Sequence, residues 1–334
     1  MARIHRPQPT ALVCGISGQD GAYLAAHLLD QGYRVVGTSR DPASCDRRGL
    51  AALGLERGVA IKALDPSDLE ATVALLEAIR PDELYNLSGQ SSIALSFEQP
   101  AATFQSIAGV TVNLLEAVRV TRLSTRLFFA GSTAMFGDNA GEPVDESTAI
   151  RPSDPYAQAK AAAFAQVIQY RRLHGLWACT GILSNHESPL RSERFVTQKI
   201  TAAACRIAAG DTSPLALGDL SVERDWGWAP EYVVAMHAML QTESPEDLVI
   251  ATGVSVALEA FVAEAFARVG LDWRRHVVCD ERLLRRDEVR RLRANPSRAA
   301  ERLGWRAETT IGEVARKMVE ARLFRDQATV RRAA

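Results

Sequence analysis

The sequence lacks the features that mark secreted, metal-binding and membrane-spanning proteins. Its five cysteines stand far apart, with no CxxC pair and no Cys/His spacing typical of a metal site. We therefore expect free thiols in a reducing compartment, and no metal. No window approaches the roughly 18 apolar residues of a membrane span, and the apolar run ALVCGI is too short for a signal-peptide core. We expect a soluble, cytoplasmic protein.

The sequence also lacks an excess of charge of either sign. Lysine and arginine number 39 against 40 aspartate and glutamate, so no overall field attracts nucleic acid or an anionic membrane. We expect neither as a partner. A phosphate-bearing ligand would have to be held by local positive charge.

Apolar strand-like runs alternate with helical patterns through the first half of the chain. The runs ALVCGI, RVVGTS, ELYNLS and RLFFAGS are separated by helical segments such as AYLAAHLLDQGY. Strands that alternate with helices of this length form parallel βαβ units. The pattern predicts an α/β fold with a doubly wound parallel sheet, whose ligand site lies at the carboxyl ends of the strands.

Three glycines lie between the first predicted strand and the helix that follows it. Glycines at this spacing let the backbone turn tightly and approach a pyrophosphate, which then sits at the helix N-terminus. The strand before and the amphipathic helix after favour dinucleotide binding over a structural turn. The predicted cofactor contacts of this loop are Gly15, Ser17, Gly18, Gln19, Asp20 and Gly21.

The second predicted strand ends in the sequence VVGTSRD. NAD enzymes usually carry an acidic residue here that accepts from the ribose hydroxyls, whereas arginine suits the 2′-phosphate of NADP. Arg40 therefore favours NADP(H), and Asp41 beside it leaves NAD(H) as the less favoured alternative. Further predicted cofactor contacts are Asp65 after the third strand, and Leu87 and Ser88 after the fourth.

The strongest chemical signal is DPYAQAK, in which Tyr156 and Lys160 stand four residues apart and share one face of a helix. An ammonium group beside a phenol favours the phenolate, so such a tyrosine can exchange the proton that accompanies hydride transfer. Ser132 ends an intervening strand. A glycine loop, a strand-end serine and YxxxK identify the chain as a member of the extended short-chain dehydrogenase/reductase superfamily. Ser132, Tyr156 and Lys160 are the predicted catalytic residues.

Several stretches resemble the GDP-mannose 4,6-dehydratases and the related GDP-4-keto-6-deoxymannose reductases. They include GISGQDGAYLA, YNLSGQSSIALSFEQP, NHESP, RDWG and DEVRRLRANPSRAAERLGW, and together they cover nearly the whole chain. The resemblance implies a GDP-hexose substrate and a bilobed protein. Its NADP-binding Rossmann domain would span 1–186, with about 225–255 returning to it. A smaller, discontinuous α/β lobe for the nucleotide sugar would comprise 187–224 and 256–330.

The same resemblance implies which residues contact the substrate. Most supply donors suited to a diphosphate or a base edge, and one carboxylate suits ribose or guanine. The implied GDP contacts are Asn185, Val196, Lys199, Arg224, Arg285 and Glu288. Gln90 and Ser91, in the loop after the fourth strand, are implied contacts of the sugar or the cofactor, and Ser132 of the sugar. Trp226 and Trp228 either flank the nucleotide or belong to the core.

The catalytic strand end, AGSTAMFG, departs from the dehydratase pattern at one position. Dehydratases oxidise the sugar at its 4-position, remove the proton at the 5-position, expel water from the 6-position and return the hydride. A glutamate two residues after the strand-end Thr serves the elimination. Here Ser132 holds the Thr place and Ala134 holds the Glu place. A methyl group cannot transfer protons, so the elimination has lost its acid/base.

We therefore expect an NADP(H)-dependent GDP-sugar oxidoreductase acting at the 4-position, most simply a GDP-4-keto-6-deoxymannose-type reductase. One alternative is a 4,6-dehydratase with a displaced acid/base, for which Asp138 is a candidate. A second is a nucleotide-sugar epimerase, and a third is a non-catalytic cofactor-binding protein. Intact Tyr156 and Lys160 argue against the third.

The loop DPASCDRRGL departs from the dehydratases as well. In those enzymes a pair of arginines after the second strand, and others in the loop, reach a neighbouring subunit's cofactor in a tetramer. Here Arg40 keeps the first of the pair, Asp41 replaces the second, and Arg47 and Arg48 keep part of the rest. We expect a homodimer through two helices that include the YxxxK helix, or a homotetramer.

Overall fold

The computed structural model describes residues 8–284 and 289–333, with side chains up to Arg325. By contacts the chain divides into two compact units. The first comprises Met1–Met135, Asp154–Ile182 and Val233–Leu248, and the second Phe136–Ser153, Leu183–Tyr232 and Val249–Ala334. The predicted domain limits differ from this division, because segments 136–153, 183–186, 225–232 and 249–255 belong to the second unit.

Most strands of the described chain belong to one sheet. The strands are β1 (Thr10–Cys14), β2 (Arg34–Ser39), β3 (Ala60–Ala63), β4 (Glu83–Asn86), β5 (Arg126–Ala130), β6 (Ala178–Leu183), β7 (Asn185–Glu187), β8 (Leu215–Leu217), β9 (Glu223–Trp228), β10 (Leu248–Ile250), β11 (Ser255–Ala257) and β12 (Val277–Cys279). The large sheet has the order β10-β6-β5-β4-β1-β2-β3, and the neighbours from β6 to β3 pair in parallel. This order confirms the predicted doubly wound α/β fold, with its switch point between β1 and β4.

Helices follow the strands as the alternation predicts. They are α1 (Gln19–Asp30), α2 (Arg48–Ala52), α3 (Leu69–Ile79), α4 (Ile93–Glu98), α5 (Pro100–Phe104), α6 (Val110–Thr121), α7 (Pro155–His174), α8 (Val196–Ala208), α9 (Ala229–Gln241), α10 (Leu258–Ala267), α11 (Ser297–Leu303) and α12 (Ile311–Ala333). A π-helical turn, Gln105–Gly109, joins α5 and α6 into one continuous helix.

Within the described ranges, one helix departs from the expected absence of a long apolar segment, namely this joined helix, Pro100–Thr121. Its 22 residues are long and apolar enough, by length and composition, to cross a membrane. Half of its most apolar window is buried inside the protein, and Leu114 and Leu115 pack with Leu12 and Phe129 in the core of the first unit. Its apolar character is therefore that of a core helix packed on a sheet.

The second unit combines short strands with helices. The strands form a three-stranded sheet of order β11-β9-β7 and a two-stranded sheet of β12 and β8. Helices α8, α10 and α12 pack on one another around buried Phe261, Phe266 and Met318. Strand β9 pairs with β7 and β11 and not with a strand of the large sheet. Segment 225–232 therefore belongs to the second unit, although it was predicted to return to the Rossmann domain.

Candidate functional site

The glycine loop after β1 is compact because two of its glycines admit no side chain. Gly15 has a φ of +94°, and a Cβ there would lie 2.7 Å from the carbonyl group of Leu87. A Cβ on Gly21 would clash with the Gly15 oxygen and lie 2.7 Å from Ile16 Cα. The Gly18 N–H donates to the Gly15 oxygen at 3.0 Å and closes the turn. The loop therefore lies directly against the segment that follows β4.

Helix α1 starts at this turn, at the carboxyl end of the sheet. Gly18 is its N-cap, and Ser17 before it is exposed. Asp20 lies in the first turn and accepts from the Gln19 amide at 3.0 Å. A helix N-terminus that follows a glycine turn carries partial positive charge and suits a pyrophosphate. The predicted cofactor residues of the loop thus come together in an arrangement that fits a dinucleotide.

Arg40 and Asp41, which follow β2, differ in their hydrogen bonds and surroundings. Arg40 is exposed. The Asp41 carboxylate accepts from the Ser44 hydroxyl at 2.7 Å and from the Ala43 N–H at 2.9 Å. These hydrogen bonds, that of Ser44 first, lower the pKa of Asp41. The Asp41 carboxylate is therefore hydrogen-bonded within its own loop, whereas Arg40 is exposed to solvent.

The remaining predicted cofactor contacts lie after β3 and β4. The Asp65 carboxylate accepts from the Ser67 N–H at 3.0 Å and from its hydroxyl at 2.7 Å, so Asp65 shapes the turn that follows β3. The Ser88 hydroxyl donates to Asn86 at 2.6 Å, and the Leu87 N–H donates to the Cys14 oxygen at 3.0 Å. Leu87 and Ser88 therefore stand beside the glycine loop, as a cofactor site requires.

The catalytic pair lies on α7, whose start is fixed by its sequence. The Asp154 side chain caps the helix by accepting from the Ala157 N–H at 2.8 Å, and Pro155 follows at the first helical position. Tyr156 is half-buried, and Lys160, 7% exposed, lies one turn further on. The Lys160 ammonium lies 5.7 Å from the centre of the Tyr156 ring. The predicted pair is therefore brought together on one helix face.

Lys160 also connects α7 to the end of β5. Its Nζ donates to the Ala130 oxygen at 2.7 Å and lies 5.1 Å from the centre of the Phe129 ring. Burial lowers the pKa of Lys160 to about 8, and the charge of Asp20 on α1 acts in the opposite direction. A buried ammonium beside a tyrosine, held by a strand-end carbonyl, favours negative charge on the phenol oxygen.

Ser132 follows β5 and precedes a short 3₁₀ turn, Thr133–Phe136, in which Ala134 lies. The Ser132 hydroxyl oxygen accepts from the Ala134 N–H at 3.2 Å, which leaves the hydroxyl hydrogen to be donated to a ligand. Ala134 is half-buried. Its methyl group occupies the position at which the dehydratase pattern has a carboxylate.

Gln90 and Ser91 lie in the loop between β4 and α4. Gln90 uses both N–H groups of its amide within the protein, donating to the Ser92 oxygen and to the Thr103 hydroxyl at 2.9 Å each. Ser91 is exposed. Of the two implied ligand contacts in this loop, Ser91 is exposed, whereas Gln90 is half-buried and both its amide N–H groups are hydrogen-bonded within the protein.

The implied GDP contacts that the structure describes all lie in the second unit. Asn185 opens β7 opposite Trp226 on β9. Val196 and exposed Lys199 lie together in the first turn of α8, which no side chain of the described chain caps. Arg224 on β9 donates to the Glu223 oxygen at 2.8 Å. Arg285 and Glu288 lie outside the described residues.

Sequence reasoning missed a set of buried groups around these contacts. Glu187, 2% exposed, accepts from the Thr197 hydroxyl at 2.6 Å and pairs with Arg191 at 3.4 Å. The Arg191 guanidinium stacks on Phe195 at 3.7 Å from the ring centre. These residues fix the first turn of α8. The local sequence SNHESP is polar and gives no sign of this burial, although a buried glutamate is rarely without partners.

The motif RDWG also has a structural basis. Asp225, 2% exposed, accepts from the N–H groups of Thr252 at 3.1 Å and Gly253 at 2.8 Å. Burial raises the pKa of Asp225 to about 6, against the opposing effect of those hydrogen bonds. Trp226 is buried in the core of the second unit, packed on Phe261, so it does not flank a nucleotide. Trp228 is half-buried.

Comparison with known proteins identifies the family. The family model described as GDP-mannose 4,6 dehydratase matches residues 12–318. GDP-mannose 4,6 dehydratase 1 of Arabidopsis thaliana is 42% identical over 327 residues, which cover 95% of this chain and 90% of the relative. The chain belongs to the GDP-mannose 4,6-dehydratase family. This confirms the resemblance that the sequence motifs predicted.

The fold of this family member is also that of solved structures. A dTDP-glucose 4,6-dehydratase from Bacillus anthracis, in complex with NAD, matches with a TM-score of 0.82 and 17% identity, over 96% of this chain and 98% of that one. RMD from Pseudomonas aeruginosa, in complex with NADPH, matches with a TM-score of 0.79 and 23% identity, over 95% and 98%. The family identifies the chain as a GDP-sugar-modifying enzyme, and these solved structures share its fold. Among its described residues, no group of three His, Cys, Asp or Glu side chains could hold a metal ion.

Proposed function

We propose that this family member transfers hydride at the 4-position of a GDP-hexose with NADP(H), and that it reduces a GDP-4-keto-6-deoxyhexose without performing the dehydration. One observation carries the proposal. Lys160, which lies beside Tyr156, donates to the Ala130 oxygen at the end of β5, and Ser132 follows that strand, while Ala134 holds the place that the acid/base of the elimination has in the dehydratase pattern.

The residues present are sufficient for a reduction. The nicotinamide supplies the hydride when it is bound. Ser132 donates its hydroxyl hydrogen to the oxygen at the 4-position and so orients the carbonyl group. Tyr156 then gives its proton to that oxygen, and the nearby ammonium of Lys160 stabilises the phenolate that remains. No second acid or base is needed in this step.

The elimination requires more than this set provides. Removing the proton at the 5-position while water leaves the 6-position needs a further proton-transfer group, because Tyr156 is occupied at the 4-position. Loss of a positioned acid/base typically costs about 10²- to 10⁴-fold in rate. A site with Ala134 at this position is thus suited to the redox half of the family's chemistry.

The choice of NADP(H) over NAD(H) is supported by the end of β2. Arg40 is exposed there, and a guanidinium suits a 2′-phosphate. Asp41, the residue that could favour NAD, accepts from Ser44 and Ala43 within its loop. We expect Arg40→Met to lower the preference for NADPH over NADH by about 10- to 100-fold, because a hydrogen bond to a charged group is lost. Arg57→Met, at an exposed arginine that precedes β3, is the control, and equal losses in both variants would contradict this assignment.

The 4,6-dehydratase remains the second candidate, because the relative from Arabidopsis thaliana carries that name at 42% identity. Asp138 is exposed and accepts from the Ala140 N–H at 2.9 Å. It would have to act in place of the missing glutamate.

One experiment separates the two candidates. Purified protein is incubated with GDP-mannose alone and, in parallel, with GDP-4-keto-6-deoxymannose and NADPH, and both product mass and nicotinamide absorbance are followed. We expect NADPH to be consumed only with the keto sugar. Loss of water from GDP-mannose without added NADPH would refute the reductase proposal.

The second unit and the oligomer complete the proposal. The GDP part of the substrate is bound by Asn185, Val196, Lys199 and Arg224, and a cation such as Lys199 in the uncapped first turn of α8 suits its diphosphate.

Large apolar side chains are exposed on two helices of the first unit, with Phe104 on α5 49% exposed and Leu173 on α7, the YxxxK helix, 66% exposed. They support a homodimer through these helices.

A further inference from the structure

The loop between β4 and α4 is held by a hydrogen-bonded latch, which we define as Gln90, Ser92 and Thr103. Gln90 Nε2 donates to the Ser92 oxygen and to Thr103 Oγ1, at 2.9 Å each, and Gln90 Oε1 accepts from the Ser92 N–H. Thr103 lies on α5 and is completely buried. The latch therefore ties the loop to the helix layer, and no N–H of the Gln90 amide is left for a ligand.

The π-helical turn reinforces this attachment. Ser106 lies in that turn, and its hydroxyl donates to the Thr103 oxygen at 3.0 Å while accepting from the Gln90 N–H at 3.5 Å. Gly89 has a φ of +106°, and a Cβ on it would lie 2.9 Å from the Ser106 oxygen. The insertion of a π turn, which is frequent near functional sites, thus brings the helix backbone against the loop. The same turn packs on α7, which carries the catalytic pair.

The other end of the loop reaches the cofactor site. Leu87 and Ser88 lie against Gly15, where a Cβ would be 2.7 Å from the Leu87 carbonyl and 3.0 Å from the Ser88 nitrogen. A shift of this loop would therefore move the surface on which the glycine turn rests. The spacing is too tight for the glycine turn to stay in place if Leu87 moves toward it.

We infer that Gln90 is a positioning residue: through Thr103 it fixes the loop Leu87–Ser92 against the glycine turn, and it acts on cofactor binding without touching a ligand through its amide N–H groups. The inference deepens the proposed function and rests on it for the identity of the ligands. The resemblance implies instead that Gln90 contacts the sugar or the cofactor directly. The positioning role differs, because it requires that replacing the buried Thr103 on α5 weakens cofactor binding as much as replacing Gln90 does.

The test is a double-mutant cycle on cofactor affinity, with NADPH binding followed by fluorescence in the absence of any sugar. We expect Gln90→Ala and Thr103→Val each to weaken NADPH binding by about 3- to 10-fold, as for the loss of one or two hydrogen bonds. The double variant should be no weaker than Gln90→Ala by more than about 2-fold, because both changes open the same latch. Thr103→Ser keeps the hydroxyl and should bind NADPH as the unmodified protein does.

Thr121→Val is the matched control. The Thr121 hydroxyl donates to the Ala117 oxygen at 2.8 Å on the same long helix, remote in sequence from the latch, and its loss should leave NADPH binding unchanged. The inference is overturned if Thr103→Val, folded by circular dichroism, binds NADPH normally while Gln90→Ala does not. It is also overturned if the two effects multiply in the double variant. Because no turnover is measured, failure of the proposed reductase activity would leave this result interpretable.

Discussion

Replacing Lys160 by methionine should stabilise the protein at neutral pH while removing its activity. Lys160 is 7% exposed, and burial lowers its pKa from 10.5 to about 8. The gap between these values corresponds to about 3 kcal/mol of folding free energy that the charged amine costs at pH 7. Methionine has a similar length and no charge, so Lys160→Met removes this cost together with the hydrogen bond to Ala130.

The pH dependence gives the sign of the effect. Between pH 8 and 10.5 the unfolded chain binds a proton that the folded chain has lost, so the free energy of unfolding of the unmodified protein rises through this window. The variant has no such contribution. The stability difference between Lys160→Met and the unmodified protein should therefore fall by about 3 kcal/mol from pH 7 to pH 10.5. Tyr156 ionises in the same pH range and is coupled to the Lys160 charge, so both proteins are compared in the Tyr156→Phe background, in which the other titrating groups are common and cancel.

Urea unfolding of both proteins at a series of pH values measures this difference. Lys62→Met, which removes an exposed lysine from β3, is the control and should give a difference that does not change with pH. In the assay with the keto sugar, Lys160→Met should lose about 10²-fold or more in rate, since the tyrosine loses the charge that stabilises its phenolate. A stability difference that stays constant from pH 7 to 10.5 would refute the claim that Lys160 is held as a costly buried ammonium.

Two further predictions concern Ala134 and Gly227. Ala134→Glu should lower the rate of 4-keto reduction and produce measurable loss of water from GDP-mannose, by restoring the missing acid/base; no dehydration in a folded variant would mean that other residues also block this step. Gly227→Ala should lower the free energy of unfolding by about 1–3 kcal/mol in urea titrations, because its Cβ would lie 2.6 Å from Cζ of the buried Tyr232 ring. Gly312→Ala, where the nearest atom to a Cβ is 3.5 Å away, is the control, and an equal loss there would contradict the packing argument.

The parts of this fold that sequence predicts are those encoded by neighbouring residues. Alternating strand and helix patterns predict the parallel sheet, because each βαβ unit buries its own apolar faces. The glycine turn is predictable for the same reason, since the close approach of Gly21 to Gly15 and Ile16 arises within the turn, whereas that of Gly15 to Leu87 depends on a distant strand. Tyr156 and Lys160 are one helical turn apart, so their shared face follows from the period of the helix.

Features that depend on residues distant in sequence could not be predicted from neighbouring residues. The role of Gln90 depends on Thr103, and the local sequence contains no sign that the amide is used up by this contact. Strand β9, ERDWGW, carries three charged residues and a glycine, and only its pairing with β7 and β11 shows that it is a strand of the second unit. Trp226 illustrates the same limit, because an aromatic residue near charged ones reads equally as core or as a binding surface, and its contact with Phe261 decides between them.

The motifs that most clearly identify the family prove to be mainly structural. In NHESP, Glu187 holds the first turn of α8 through Thr197, and His186 stacks on Tyr232 with ring centres 4.6 Å apart. In RDWG, Asp225 fixes the turn at Thr252, and the missing side chain of Gly227 makes room for the same Tyr232 ring. Such motifs stabilise the fold of the second unit. Two relatives can therefore share them even if the proton transfers beside β5 differ. Family membership therefore indicates the scaffold and the class of ligand, whereas in the function we propose the reaction depends on which group stands at position 134.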